Sequence, residues 1–73
     1  MGILEQLEQQ GFLVLDGKRR LLAQLDLGRT VFAKGIDGHV YRITAPGRVV
    51  SIEVIDDVDQ NLVQTILLQP VRK

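Results

Sequence analysis

The sequence lacks cysteine altogether, which excludes disulfide bonds and thiolate metal sites as sources of stability. It has no excess charge of either sign, because lysine plus arginine number nine and aspartate plus glutamate also number nine. Net charge therefore does not attract the chain to nucleic acid or to a membrane surface. Fully apolar runs are too short for a transmembrane helix, and the basic start of a signal peptide is missing. We therefore expect a cytoplasmic chain without membrane contact.

The chain is also short, since 73 residues leave room for one domain, which we place at residues 1–73. Apolar residues make up 45% of the chain and charged residues 25%, which is typical of globular domains and argues against disorder. A domain of this size buries only a modest core, and association is the common remaining source of stability when disulfides are excluded. We therefore predict a homo-oligomer, either a dimer or a larger assembly.

Residues 1–10 have the pattern of a short amphipathic helix. Ile3, Leu4 and Leu7 share one face, and Gly11 suits the left-handed residue that ends many helices. Two helical turns are not stable alone in water, so this helix must pack on the domain or on a partner.

Residues 12–71 have the pattern of a β-meander. The dipeptides Asp16-Gly17, Asp37-Gly38 and Pro46-Gly47 are typical of turns, and residues between them alternate between apolar and polar. Residues 17–27 also fit a helix with Asp16 as its N-cap and Gly28 after its end, but we favour the strand. The sequence thus predicts a mainly β domain: a small antiparallel β-barrel or curved β-roll of five or six strands with one short N-terminal α-helix.

The tail, residues 61–71, fits two interpretations. Asp57 with Gln60 resembles a helical capping box, and Pro70 would end such a helix. Val63, Thr65 and Ile66 favour a strand instead, which we expect to pair with residues 48–55.

Several predicted strands are apolar on both faces, notably residues 12–15 and 66–68. A sheet face in contact with water carries polar residues at alternate positions, so these strands should be buried on both sides, by the helix or by another subunit. The pattern does not separate core from interface. The candidates for either role are Ile3, Leu4, Leu7, Phe12, Val14, Ile66 and Leu68.

No motif with catalytic, cofactor-binding or metal-binding spacing is found in the sequence. Residues 57–61 resemble the start of a calcium loop, but Leu62 and Leu68 occupy the places of its glycine and its bidentate glutamate. His39 is the single histidine, and the sequence shows neither a nucleophile nor a second metal ligand at a spacing that would pair with it. We therefore predict a non-catalytic binding or assembly module without a cofactor.

Basic residues concentrate in the middle of the chain, where Phe32 and Tyr41 are interleaved with them. A basic sheet with aromatic side chains can follow a phosphate backbone and stack on bases. Nucleic-acid binding is therefore the alternative function. Its candidate residues are Lys18, Arg19, Arg20, Arg29, Lys34 and Arg42.

A short helix followed by a meander of five or six strands resembles the layout of Sm-like RNA-binding rings. Leu22 and Asp26 match the first motif of that family, whereas Arg20, Leu25 and Thr30 replace its glycine, its aromatic residue and its base-contacting asparagine. The resemblance implies a barrel, Sm-like or SH3-like, and a shared topology does not supply a function.

Overall fold

Five strands form one curved, open sheet with two α-helices. The computed structural model describes residues 2–71. Its elements in chain order are α1 (Ile3–Gln9), β1 (Phe12–Asp16), α2 (Lys18–Asp26), β2 (Val31–Gly35), β3 (Val40–Thr44), β4 (Ser51–Val54) and β5 (Val63–Pro70), with 3-10 turns at Pro46–Arg48 and Gln60–Leu62. The prediction of a mainly β chain with an N-terminal helix is therefore confirmed.

The sheet has the order β1-β5-β2-β3-β4 and is mixed, because β5 runs parallel to β2 and antiparallel to β1. It is not closed, so the structure contains a curved sheet where a barrel was expected. The curvature is visible in the aromatic rings of Phe12 on β1 and Tyr41 on β3, whose centroids lie 5.1 Å apart although two strands separate β1 from β3.

The prediction of a strand at residues 17–27 is wrong, since residues 18–26 form α2. A strand would have placed Ala23 and Leu27 inside, and both are exposed. Leu21 and Leu25 are buried, and their four-residue spacing places them on one helical face. Gly17 has a left-handed backbone conformation and is the N-cap of α2. Asp16-Gly17 therefore does not form a hairpin turn, and Asp16 is not the N-cap of the helix.

The Asp37-Gly38 hairpin is confirmed, as it joins the antiparallel strands β2 and β3. The tail is a strand, as predicted, but its expected pairing with residues 48–55 is wrong. β5 lies between β1 and β2, where Ile66 and Leu68 are buried. Ile66 and Leu68 share the face of β5 that packs against the core, which explains the apolar composition of that face.

Both helices cover the same face of the sheet, and the core lies between them and the strands. Buried side chains from both helices and from all strands except β4 form this core together with Val50. The predicted core-or-interface residues belong to it. Ile3, Leu7, Val14, Ile66 and Leu68 are buried, and Leu4 and Phe12 pack against the same cluster.

Helix α1 connects the two edges of the open sheet. It packs on β1 and also reaches the chain entering β4, at the opposite edge. The Gln6 side chain accepts a hydrogen bond from the Val50 N–H at 2.9 Å and donates one to the Arg48 carbonyl at 2.8 Å. Gln10 donates to the Val50 carbonyl at 2.9 Å. The amide side chains of Gln6 and Gln10 thus form hydrogen bonds with the backbone before β4 that a neighbouring strand would otherwise form.

Replacing Gln6 with glutamate is expected to lower the free energy of unfolding by about 0.5–1.5 kcal/mol, because the Arg48 carbonyl would face a carboxylate oxygen in place of a donor. Chemical denaturation of the variant measures the loss. Gln9→Glu is the matched control, since it adds the same charge to an exposed position of α1. Equal losses in the two variants would contradict a specific role for the Gln6 amide.

Candidate functional surfaces

A positively charged surface is formed by the first turn of α2. Gly17, with φ of +83°, turns the chain directly from β1 into the helix, so Lys18, Arg19 and Arg20 are consecutive exposed residues at its start. This turn contains no acidic residue, and none of the three cations forms an ion pair with a described residue. The unpaired N–H groups of the helix start add to the positive potential of the three side chains.

The other three predicted nucleic-acid residues lie elsewhere. Arg29 follows α2 and donates a hydrogen bond to Gln24 at 3.2 Å. Lys34 and Arg42 alternate with core residues of β2 and β3, which places them on the sheet face opposite the helices. Arg42 forms an ion pair with Glu53 on the neighbouring strand. The six candidates therefore do not form one continuous surface, and only the first three are consecutive.

A polar cluster at the β2–β3 hairpin was not found from the sequence. The Tyr41 hydroxyl donates to Asp37 at 2.5 Å, and Asp37 also accepts from the His39 N–H at 3.1 Å. Asp56, in the connection between β4 and β5, accepts from the Val40 N–H at 2.9 Å and lies 2.8 Å from Nδ1 of His39. Asp37 and His39 are close to Tyr41 along the chain, at the hairpin turn and the start of β3, which is the available sequence signal. Asp56 has no such signal.

The hydrogen bonds of this cluster lower the pKa of both carboxyl groups. The Tyr41 hydroxyl is the main cause for Asp37, and the Val40 N–H followed by the His39 side chain is the main cause for Asp56. A carboxyl group whose pKa is lower in the folded state stabilises the fold above its unfolded pKa of about 3.9. This contribution is lost as the pH falls through the folded pKa.

We therefore expect the stability of the chain to decrease below about pH 4, and Asp56→Asn to reduce the slope of this decrease. Urea denaturation of the wild type and the variant at a series of pH values between neutral and acidic tests this. Asp57→Asn is the control, because Asp57 is exposed and receives none of the described hydrogen bonds. Identical slopes in Asp56→Asn and the wild type would contradict the assignment.

The acidic segment with calcium-like spacing, residues 57–61, leads into the 3-10 turn Gln60–Leu62, and Asp59 is the N-cap of this turn. Asp59 accepts a hydrogen bond from the Asn61 N–H at 2.9 Å, which accounts for its conformation locally. Within residues 2–71, no group of three or more histidine, aspartate or glutamate side chains is placed to hold a metal ion. No helix in this part of the chain is long and apolar enough to cross a bilayer.

Two exposed leucines and one partly buried leucine lie on the helix-free face at the β1 edge of the sheet. Leu13 and Leu15 flank the buried Val14 and are 39% and 48% exposed. Leu67 alternates with two core residues of β5, so it also points to the helix-free face, next to β1. We call these three leucines the β1 patch. β1 is an edge strand, so its outer side has no strand partner in the sheet.

The fold thus defines a small mainly β chain whose two helices cover one face of a mixed sheet. No protein-family model matches the sequence, and no curated protein or solved structure is similar to it at a significant level. Leu22 and Asp26, the residues that match the Sm-like motif, lie in α2 and not on a strand of a meander.

Proposed function

We propose that this chain is a non-catalytic binding or assembly module that works as a homo-oligomer. The observation that carries the proposal is the β1 patch, because two of its leucines are exposed on an open edge strand. Unpaired edges with apolar side chains pair readily with other strands, and natural edge strands are commonly protected by charge or by a covering element. Leu13 and Leu15 are apolar, and no element within residues 2–71 pairs with the outer side of their strand. The β-bulge between Val14 and Asp16 leaves residues 12–14 as the regular part of this edge. An open apolar edge of this kind supports a surface covered by a second subunit.

The proposed interface differs from the residues that the sequence suggested. Five of those residues are buried in the core of a single chain, and the other two, Leu4 and Phe12, are partly buried against it. The apolar runs at residues 12–15 and 66–68 are therefore covered on one side by the core, and their remaining members are the leucines of the β1 patch. The leucines of the β1 patch can therefore contact a second subunit while the core of the chain stays folded.

Light scattering after size exclusion at micromolar concentration tests the proposal. We expect a mass that is a multiple of 8.2 kDa and a melting temperature that rises with protein concentration. Leu13→Lys with Leu15→Lys should convert the assembly to monomers. Leu27→Lys is the control, because Leu27 is also exposed, at 65%, but lies at the end of α2 and not on β1. A single-chain mass at every concentration, with a constant melting temperature, would refute the proposal.

Nucleic-acid binding is the second candidate, and the unpaired basic first turn of α2 favours it. Fluorescence anisotropy with a labelled oligonucleotide should show an affinity that falls steeply with salt, since phosphate contacts release counterions. Reversing the charges of Lys18, Arg19 and Arg20 should abolish it, whereas Arg42→Glu, at a residue already paired with Glu53, should have a smaller effect. Absence of binding at about 50 mM salt would reject this candidate.

A further inference from the structure

We infer that two copies of this chain associate antiparallel through their β1 strands, with Leu13 of one copy opposite Leu13 of the other. The inference rests on the proposed homo-oligomer and adds its surface, its symmetry and its register. A two-fold axis is the commonest symmetry of small assemblies and places the same strand on both sides of the interface. The partner is therefore a second copy of this chain.

The backbone of β1 determines which groups are available to a second strand. The Gly11 carbonyl accepts a hydrogen bond at 2.6 Å from the N–H of Val71, the residue that follows β5. The backbone carbonyl of Gly11 therefore points toward the β5 side of β1. Backbone N–H and C=O groups alternate in direction from one residue to the next along a strand. The backbone groups of Leu13 therefore also point toward β5, whereas those of Phe12 and Val14 point to the open edge. Phe12 of one copy and Val14 of the other can then form hydrogen-bonded pairs on both sides of the two-fold axis.

A β-bulge fixes where the axis lies. The register with β5 shifts between Val14 and Asp16, so regular pairing of β1 ends after Val14. A pairing that uses only residues before the bulge has its centre at Leu13. In this arrangement the helix-free faces of both copies lie on the same side, and the two β1 patches form one continuous apolar surface.

Charge complementarity supports the antiparallel direction. The charged residues of segment 1–16 are all acidic, namely Glu5, Glu8 and Asp16, and the last turn of α1 has no basic residue. Antiparallel pairing brings the end of β1 in one copy beside its start in the other. The basic first turn of α2 then approaches the end of α1 in the second copy, and this contact occurs twice.

The opposite edge is less suited to pairing. The backbone of Val50, directly before β4, already forms hydrogen bonds with the side chain of Gln6 in α1 and with that of Gln10, directly after α1. Helix α1 therefore occupies the entrance to β4 and shortens the free edge. In contrast, no strand or described side-chain hydrogen bond covers the outer side of β1.

Cysteine substitution tests the register directly, because the chain contains no native cysteine. Leu13→Cys should form an intermolecular disulfide as the main product of mild oxidation. Residues opposite each other in a non-hydrogen-bonded antiparallel pair have Cα atoms about 4.5 Å apart, within the range for disulfides. Leu15→Cys, two residues further along β1, and Val54→Cys, on β4, are matched exposed controls that should remain largely reduced.

A charge exchange tests the complementarity. Lys18→Glu with Arg19→Glu and Arg20→Glu should weaken the dimer about tenfold or more, and adding Glu5→Lys with Glu8→Lys should restore much of the affinity. Restoration is not expected if these cations act only on nucleic acid. Loss of affinity without any restoration, or no loss at all, would overturn the inference.

The outcomes separate this inference from the proposed function. An oligomeric wild type in which Val54→Cys cross-links and Leu13→Cys does not would overturn the β1 pairing and leave the homo-oligomer standing. A wild type that is monomeric at all concentrations would refute both. Cross-linking of Leu13→Cys alone, with restoration by the charge exchange, supports both.

Discussion

Replacing Gly17 with alanine is expected to lower the free energy of unfolding by about 3 kcal/mol, a large part of the stability of so small a domain. Gly17 has φ of +83°, which costs an alanine about 1–2 kcal/mol. An added Cβ would also lie 2.6 Å from the carbonyl oxygen of Thr65 and 3.0 Å from Cγ1 of Ile66. Both neighbours belong to the central strand β5, whose backbone cannot move without disturbing two strand pairings.

Chemical denaturation of Gly17→Ala measures this loss, and Gly28→Ala separates its two causes. Gly28 has φ of +75°, but an added Cβ there would meet no atom of residues 2–71 within 4 Å. Its loss should therefore contain only the backbone cost of about 1–2 kcal/mol. If both variants lose the same stability, the close approach of Gly17 to β5 has no energetic consequence.

Replacing Gly35 with alanine is expected to cost about 2–3 kcal/mol for a different reason. Its φ is not in the left-handed region, so the cost comes from packing. A Cβ at this position would collide with the Asp37 carboxylate and lie 2.7 Å from Cε2 of Tyr41. Tyr41 is buried and in contact with Phe12, so its ring has little room to move. Overpacking of this kind typically costs 1–3 kcal/mol.

A double-mutant cycle with Asp37→Ala identifies the collision. The double variant should lose less stability than the sum of the two single variants, because removal of the carboxylate also removes the clash. Gly38→Ala is the control for the hairpin, since Gly38 has positive φ and open space around it. Strict additivity of Gly35→Ala and Asp37→Ala would show that the carboxylate does not limit this position.

Elements with local signals were predictable from the sequence, as the first helix and the Asp37-Gly38 hairpin illustrate. Helix α2 was not, because Leu21 and Leu25 lie on one face of both a strand and a helix. A strand would bury Ala23 and Leu27 as well, and a helix exposes them. Their exposure distinguishes the two structures, but it is known only from the fold. The partners of β5 were equally inaccessible, since parallel pairing with β2 depends on a connection across the sheet that has no local sequence pattern.

The candidate surfaces were predictable in composition but not in arrangement. The sequence identified the basic residues, and the fold separates Lys18 from Lys34 and Arg42 by placing them on different elements. It also identified the apolar positions, but the choice between core and interface needed the direction of each side chain. The contact between His39 and Asp56 has no local sequence signal, because Asp56 lies seventeen positions further along the chain.

The central position of β5 also determines how the chain must fold. β1 and the β2–β3–β4 meander share no strand pairing with each other, and β5 joins them. Contacts within the meander are local and can form early, whereas Phe12 pairs with Pro70 across almost the whole chain. Loop-closure entropy must be overcome before that pairing is gained. We therefore expect docking of β5 to be the slow step of folding, with β1 an unpaired strand until it occurs.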